Sequence, residues 1–154
     1  TRGVGTGPPV KLGFYRNVEN AALKLEMVLN TWLSEGVDPG AITVLSVKAF
    51  SESSVAKLPL ELVNSLVQIE DYNIIGFPFS NISFCEVFSF KGLENQFVIV
   101  TDIDELREND QTAMNQLYVG MSRGRIGLHL LMNSKLEKMV AELQIQNALR
   151  MGDK

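Results

Sequence analysis

Ile42 to Val47 is apolar throughout except for Thr43 and Ser46, a pattern suited to a strand covered on both faces rather than half-exposed. Just before it the period changes. Val18, Ala22, Leu25, Leu29, Trp32 and Leu33 recur at helical spacing and make one apolar stripe. Asn17 is placed to accept hydrogen bonds as the N-cap, and Glu19 puts negative charge in the first turn, where it is favoured. Gly36 supplies the left-handed residue past the helix end, and Asp38-Pro39-Gly40 makes the turn into the strand.

The same alternation runs along the chain. Further strands are predicted at Val10–Tyr15, Tyr72–Ile75, Ile82–Phe88, Phe97–Thr101 and Ile126–Met132. Ser51 is read as capping a helix through Lys57, which Pro59 ends, and Leu60 to Ile69 as a second helix. Asp110 to Ser122 is predicted helical, with Met114, Leu117, Tyr118 and Met121 on one side. Ser134 with Glu137 reads as a capping box opening a last helix striped by Leu136, Met139, Val140 and Leu143. Strands alternating with helices predict an α/β fold, a mostly parallel sheet with helices on both faces. Such sheets place ligands at the carboxyl ends of their strands. Chemistry is therefore sought just after Ser46, Phe88 and Thr101, and on the approach to Ile126.

A chain of 154 residues, 45% hydrophobic and 21% charged, suits one soluble domain. That domain is expected over residues 10–150, after a linker at 1–9 and before a short tail at 151–154. Gly3, Gly5 and Gly7 precede the first strand and run into Pro8-Pro9, so they read as linker rather than as a dinucleotide loop. Fourteen Lys and Arg against 18 Asp and Glu leave a formal charge of −4, which argues against holding nucleic acid by bulk electrostatics but not against a local contact. One cysteine, Cys85, and one histidine, His129, exclude a disulfide framework and a multi-Cys zinc site. Cys85 reads as a small buried hydrophobe, His129 as a core or edge residue of its strand, and the six methionines as core filler. No metal site is expected in this chain. Neither a membrane span nor a secretory signal is evident, and the cytoplasm is the expected location. The first residue is Thr rather than Met, which suggests part of a longer protein.

Three segments near strand ends carry possible chemistry. Ser89-Phe90-Lys91-Gly92-Leu93-Glu94 follows an apolar strand and offers backbone N–H groups and a cation to a phosphate; equally, it is a tight turn that needs Gly92. Leu117-Tyr118-Val119-Gly120-Met121-Ser122-Arg123-Gly124-Arg125 ends a helix with two arginines, which suit a phosphoryl group or simply a helix C-terminus. Val98-Ile99-Val100-Thr101-Asp102-Ile103-Asp104-Glu105 ends a strand in carboxylates. It resembles a magnesium-binding strand or an Asp-x-Asp phosphotransferase motif, but no Gly-x-x-x-x-Gly-Lys-Ser/Thr loop occurs, and an acidic loop is the better reading.

In order and separation, Ser89 to Glu94, then Val98 to Asp102, then Leu117 to Arg125 resemble motifs V and VI of UvrD-like superfamily I helicases. The preceding strand and helix, and Val44-Leu45-Ser46, are similar to the start of that family's second RecA-like motor domain. The resemblance implies a RecA-like domain without its own phosphate loop, facing a first RecA-like domain that carries that loop and the magnesium ligands. ATP with Mg²⁺ would bind between the two. By position, Arg123 would be the arginine finger, Gly92, Glu94 and Arg125 would lie near the nucleotide, and Ser89, Lys91 and Ser46 near single-stranded DNA. Two departures stand out: Phe88 where the family usually has His, and Ser122 before the finger in place of the usual Ala or Thr. An alternative reading is a non-catalytic adaptor domain of the same fold that binds a protein partner.

Overall fold

The computed structural model describes residues 10–90, 92–105 and 124–141. Six strands are present: β1 (Val10–Tyr15), β2 (Ile42–Ser46), β3 (Val67–Gln68), β4 (Ser83–Glu86), β5 (Asn95–Ile103) and β6 (Gly124–Asn133). They form one sheet in the order β1-β6-β5-β2-β4-β3, and every neighbouring pair is parallel. The long α-helix, α1, spans Val18–Ser34, and a short one, α2, spans Leu60–Ser65.

Central position explains the composition of β2. It pairs with β5 on one side and β4 on the other, and all five of its residues are buried. Alternation along the strands then feeds two cores. Ile42, Val44 and Ile99 face α1, meeting Ala21, Leu25 and Leu29. Leu45, Val98, Val100, Leu128 and Leu130 face the other way, against Val87, Phe90, Leu136 and Val140. Fully burying each Leu or Ile contributes about 1.5–3 kcal/mol over leaving it in water, so each face supplies several such terms. The architecture is thus the expected α/β sheet covered on both faces.

The helix α1 also begins and ends as expected. The Asn17 side chain accepts from the Asn20 N–H at 2.8 Å, and Gly36 takes φ +92° just beyond the Glu35 C-cap.

Elsewhere local patterns yielded to longer-range contacts. Residues 51–57 make two 3₁₀ turns, Phe50–Glu52 and Ser54–Lys57, instead of one α-helix. The Ser54 N–H is drawn to the Asp102 carboxylate at 3.0 Å and so leaves the helical pattern. The helix opened by Pro59 stops at Ser65, and the next edge strand is Val67–Gln68 rather than Tyr72–Ile75. There the Asn73 side chain closes a turn, accepting from the Glu70 N–H at 2.8 Å and donating to the Gln68 carbonyl at 2.9 Å. Beyond Glu86 the chain coils into a 3₁₀ turn, Val87–Phe90, because Phe90 is pulled wholly inside against Phe77. The cap after β6 is Asn133 rather than Ser134: its side chain accepts from the Lys135 N–H at 3.0 Å, and residues 137–141 continue as helix. The linker at 1–9, the helix predicted at Asp110 to Ser122 and the tail at 151–154 lie outside the described residues. Among the described residues no helix is long and apolar enough to cross a membrane.

Candidate functional site

In a parallel sheet all carboxyl ends lie along one edge and all amino ends along the other, and here the two edges differ in kind. At the carboxyl edge the last residue but one of β5, Asp102, is left-handed, with φ +65°. Asp is among the residues that tolerate this conformation, though at a cost for any side chain with a Cβ. The irregularity of pairing between Val100 and Ile103 falls here. The Asp102 carboxylate turns inward and is 3% exposed. Ser46 Oγ–H donates to it at 2.6 Å, and the Ser54 N–H bridges both of its oxygens at 3.0 and 3.2 Å. The Ser54 and Thr101 hydroxyls lie 3.0 Å apart, and the Lys48 N–H donates to Ser46 Oγ at 2.9 Å. Burial raises the Asp102 carboxyl above its ordinary range despite these donors.

Two residues on, Asp104 accepts from the Tyr15 hydroxyl at 2.7 Å and pairs with the Lys48 ammonium. Burial pushes this carboxyl up, but the bonds from Lys48 and Tyr15 and the Lys48 charge outweigh it, and the net shift is downward. The Tyr15 phenol is pushed far up, first by burial and then by its bond to Asp104.

The ends of β1, β2 and β5 are thus tied together, and the tie decides two earlier readings. Ser46 is wholly buried with its hydroxyl engaged on Asp102, so it is a strut of the sheet edge rather than a hydroxyl presented to DNA. Asp102 has its oxygens taken by Ser46 and Ser54, which removes the open carboxylate an Asp-x-Asp phosphotransferase needs. Among the described residues no three His, Cys, Asp or Glu gather as a metal cluster. Sequence reasoning passed over Lys48 and the exposed Arg16 at this edge. The available signal was a cation directly after, or two residues after, a strand.

The amino edge gathers the proposed nucleotide residues. Only eight residues, 87–94, return the chain from the end of β4 to the start of β5, a climb of about 20 Å at 3.3 Å per residue. Gly92 makes the final turn with φ +76°, a backbone state that favours glycine, and open space surrounds the place of its missing Cβ. Glu94 follows and meets Arg125, the second residue of β6, with Oε1 and Nη1 3.7 Å apart. Both side chains are more than half exposed.

This edge is pinned from beneath. Asn95 is 4% exposed and pairs in register with Gly124. Its Nδ2 donates to the Gly40 carbonyl at 3.1 Å and to Thr43 Oγ1 at 2.9 Å, and Thr43 lies 2.7 Å from Ser83 Oγ. The structure therefore brings Gly92, Glu94 and Arg125 to one edge and leaves Ser46 at the other. Lys91 and Arg123 lie outside the described residues.

Ser89 lines a cleft of about 520 Å³ at the carboxyl ends of β3 and β4. Phe88 beside it is 45% exposed, an aromatic at the surface. Cys85 is a buried free thiol in the wall of that cleft, pushed up to about 11 by burial and so held in its unreactive form. His129 is half-buried in β6, as the core or edge strand residue expected from the sequence, and burial and then Lys11 lower its pKa.

Residues 82–131 match the family model of the UvrD-like helicase C-terminal domain. The match runs from the entrance of β4 through the 3₁₀ crossover and β5 into β6, so it contains Gly92, Glu94 and Arg125. No curated protein matches the chain. Among solved structures the chain is similar to the C-terminal domain of a possible DNA helicase from Lactobacillus plantarum WCFS1. The two are 22% identical with a TM-score of 0.54, over 82% of this chain and 73% of that one. At that identity the likeness is one of fold.

Proposed function

We propose that this chain is the second RecA-like lobe of an ATP-dependent DNA helicase or translocase, completing a nucleotide site held mainly by a first lobe. In this reading the first lobe grips ATP and Mg²⁺, and this lobe presents Gly92, Glu94, Arg125 and the finger Arg123 across the gap. The observation that carries the reading is the exposed pairing of Glu94 with Arg125 at the amino edge, inside the segment that matches the helicase family model. Arg123 stands two positions before Arg125 in the sequence.

A guanidinium arriving from a second lobe stabilises charge that develops on the transferring phosphoryl oxygens, worth about 10³–10⁵ in rate. Because it arrives only when the gap closes, hydrolysis and lobe movement become one event. Single-stranded DNA would be met at Ser89 and Lys91 by hydroxyl and ammonium contacts to phosphate, which position a strand without reading its sequence.

Half of a nucleotide site binds weakly by itself. Calorimetric titration of the isolated chain with ATP and magnesium is expected to show no submillimolar site. A tight site would mean a self-contained nucleotide enzyme and would overturn the two-lobe reading. In the polypeptide that joins this lobe to a phosphate-loop lobe, ATPase activity stimulated by single-stranded DNA is expected.

One observation favours a second reading, an adaptor lobe that binds protein. Phe88 is an exposed aromatic at the place where the resembling helicases use a polar DNA contact. ATPase activity that single-stranded DNA leaves unchanged would favour the adaptor.

A further inference from the structure

The cleft at the carboxyl ends of β3 and β4 has a charge pattern the nucleotide reading does not use. Its floor is apolar, built on Ile69 and on the Phe50–Phe84 pair, whose rings sit edge to face at 5.2 Å. Its rim carries the exposed carboxylates of Glu70, Asp71 and Glu86, and among the described residues no lysine or arginine lines it. Beside them Tyr72 holds its ring in solvent, 82% exposed.

We propose that this cleft docks an arginine side chain carried by an extended segment of a protein partner. The apolar floor suits the methylene stem, and the Tyr72 face suits the planar guanidinium. The three carboxylates supply the complementary charge, and a carboxylate accepts the planar fork of a guanidinium through two bonds where an ammonium offers a point charge. A DNA strand in the same place would bring phosphates against three carboxylates, and like charges so placed are repelled. A DNA strand that meets Ser89 therefore stays at the mouth of the cleft and keeps its phosphates off the acidic rim at residues 70, 71 and 86.

The inference is independent of the nucleotide site, so its failure leaves that reading untouched. The test is a ¹H–¹⁵N NMR titration of the 154-residue chain with the capped tripeptide Ac-Gly-Arg-Gly-NH₂, its lysine counterpart and the oligonucleotide dT6. The arginine peptide is expected to give saturable shifts centred on residues 69–74 and 84–89, and to bind about threefold or more tighter than the lysine peptide. Tyr72→Ala, and separately Glu70→Gln with Glu86→Gln, should each weaken it about fivefold or more. Both changes fall on exposed side chains, so folding survives them. Glu26→Gln with Glu35→Gln removes the same charge elsewhere and should change nothing. Shifts centred elsewhere, an equal loss in that control, or dT6 binding residues 69–74 more tightly than the peptide would each overturn the proposal.

Discussion

At the carboxyl edge, Asp102 lies inside the protein and receives donors from Ser46 and Ser54, while Asp104 is tied to Tyr15 and Lys48. At the amino edge, Glu94 and Arg125 stand more than half in solvent with 3.7 Å between them. Both are charged clusters at strand ends of the same sheet, yet only the second can change partners cheaply. An exposed ion pair is worth about 0–1 kcal/mol, so Arg125 can leave Glu94 for a phosphate at little cost. A buried carboxylate with fixed donors cannot be traded that way, because removing a partner leaves the others desolvated and unpaired. Burial thus separates the cluster that shapes the edge from the one available to a ligand.

The sharpest way to break this comparison is Asp102→Ala, which strands the Ser54 N–H and the Ser46 hydroxyl in the interior. We expect a loss of about 2–4 kcal/mol in urea unfolding. Asp102→Asn keeps an acceptor and tolerates the left-handed backbone, so it should lose less than half as much. A loss below about 1 kcal/mol for the alanine variant would show that the network does not hold the edge.

A smaller effect distinguishes the two carboxylates of that edge by pH. Asp104 has a lowered pKa in the fold, so its contribution is present above the ordinary carboxylate value and is lost as pH falls through the folded one. Asp102 is raised, so its contribution has the opposite sign: stability is gained as pH falls through its folded pKa and is complete below the ordinary value. Measured by urea midpoints between about pH 3 and pH 6, Asp104→Asn should therefore flatten the acid loss of stability and Asp102→Asn should steepen it. Identical acid limbs in the two variants would contradict the assignment. Smallest of all is Glu94→Gln, expected to change stability by no more than about 0.5 kcal/mol. A larger change would mean that the amino-edge pair is structural after all.

The parts of this design that depend on neighbours in sequence were legible in advance. The boundaries of α1 followed from its apolar spacing, its Asn17 cap and Gly36, and the buried central strand from an apolar run with no alternation. What the sequence hid depends on distant partners. The Ser54 N–H is taken by a carboxylate 48 residues away, so 51–57 could not be read as 3₁₀ turns. Asp102 looked like one of several acids in a loop, and nothing local announces its left-handed backbone or its burial. The nucleotide candidates were nominated by residue type and order, which do not say at which edge of the sheet they fall. In a parallel sheet the approach to a strand lies at its amino end, so Arg125 falls opposite the rim where Ser46 was sought.

The central claim concerns a guanidinium that acts on a nucleotide held by another lobe, and Arg123→Ala in the two-lobed polypeptide tests it most directly. Steady-state hydrolysis of ATP should fall by about 10³ or more while ATP affinity changes by only a few-fold. Turnover retained within about tenfold of the unaltered protein would contradict the account.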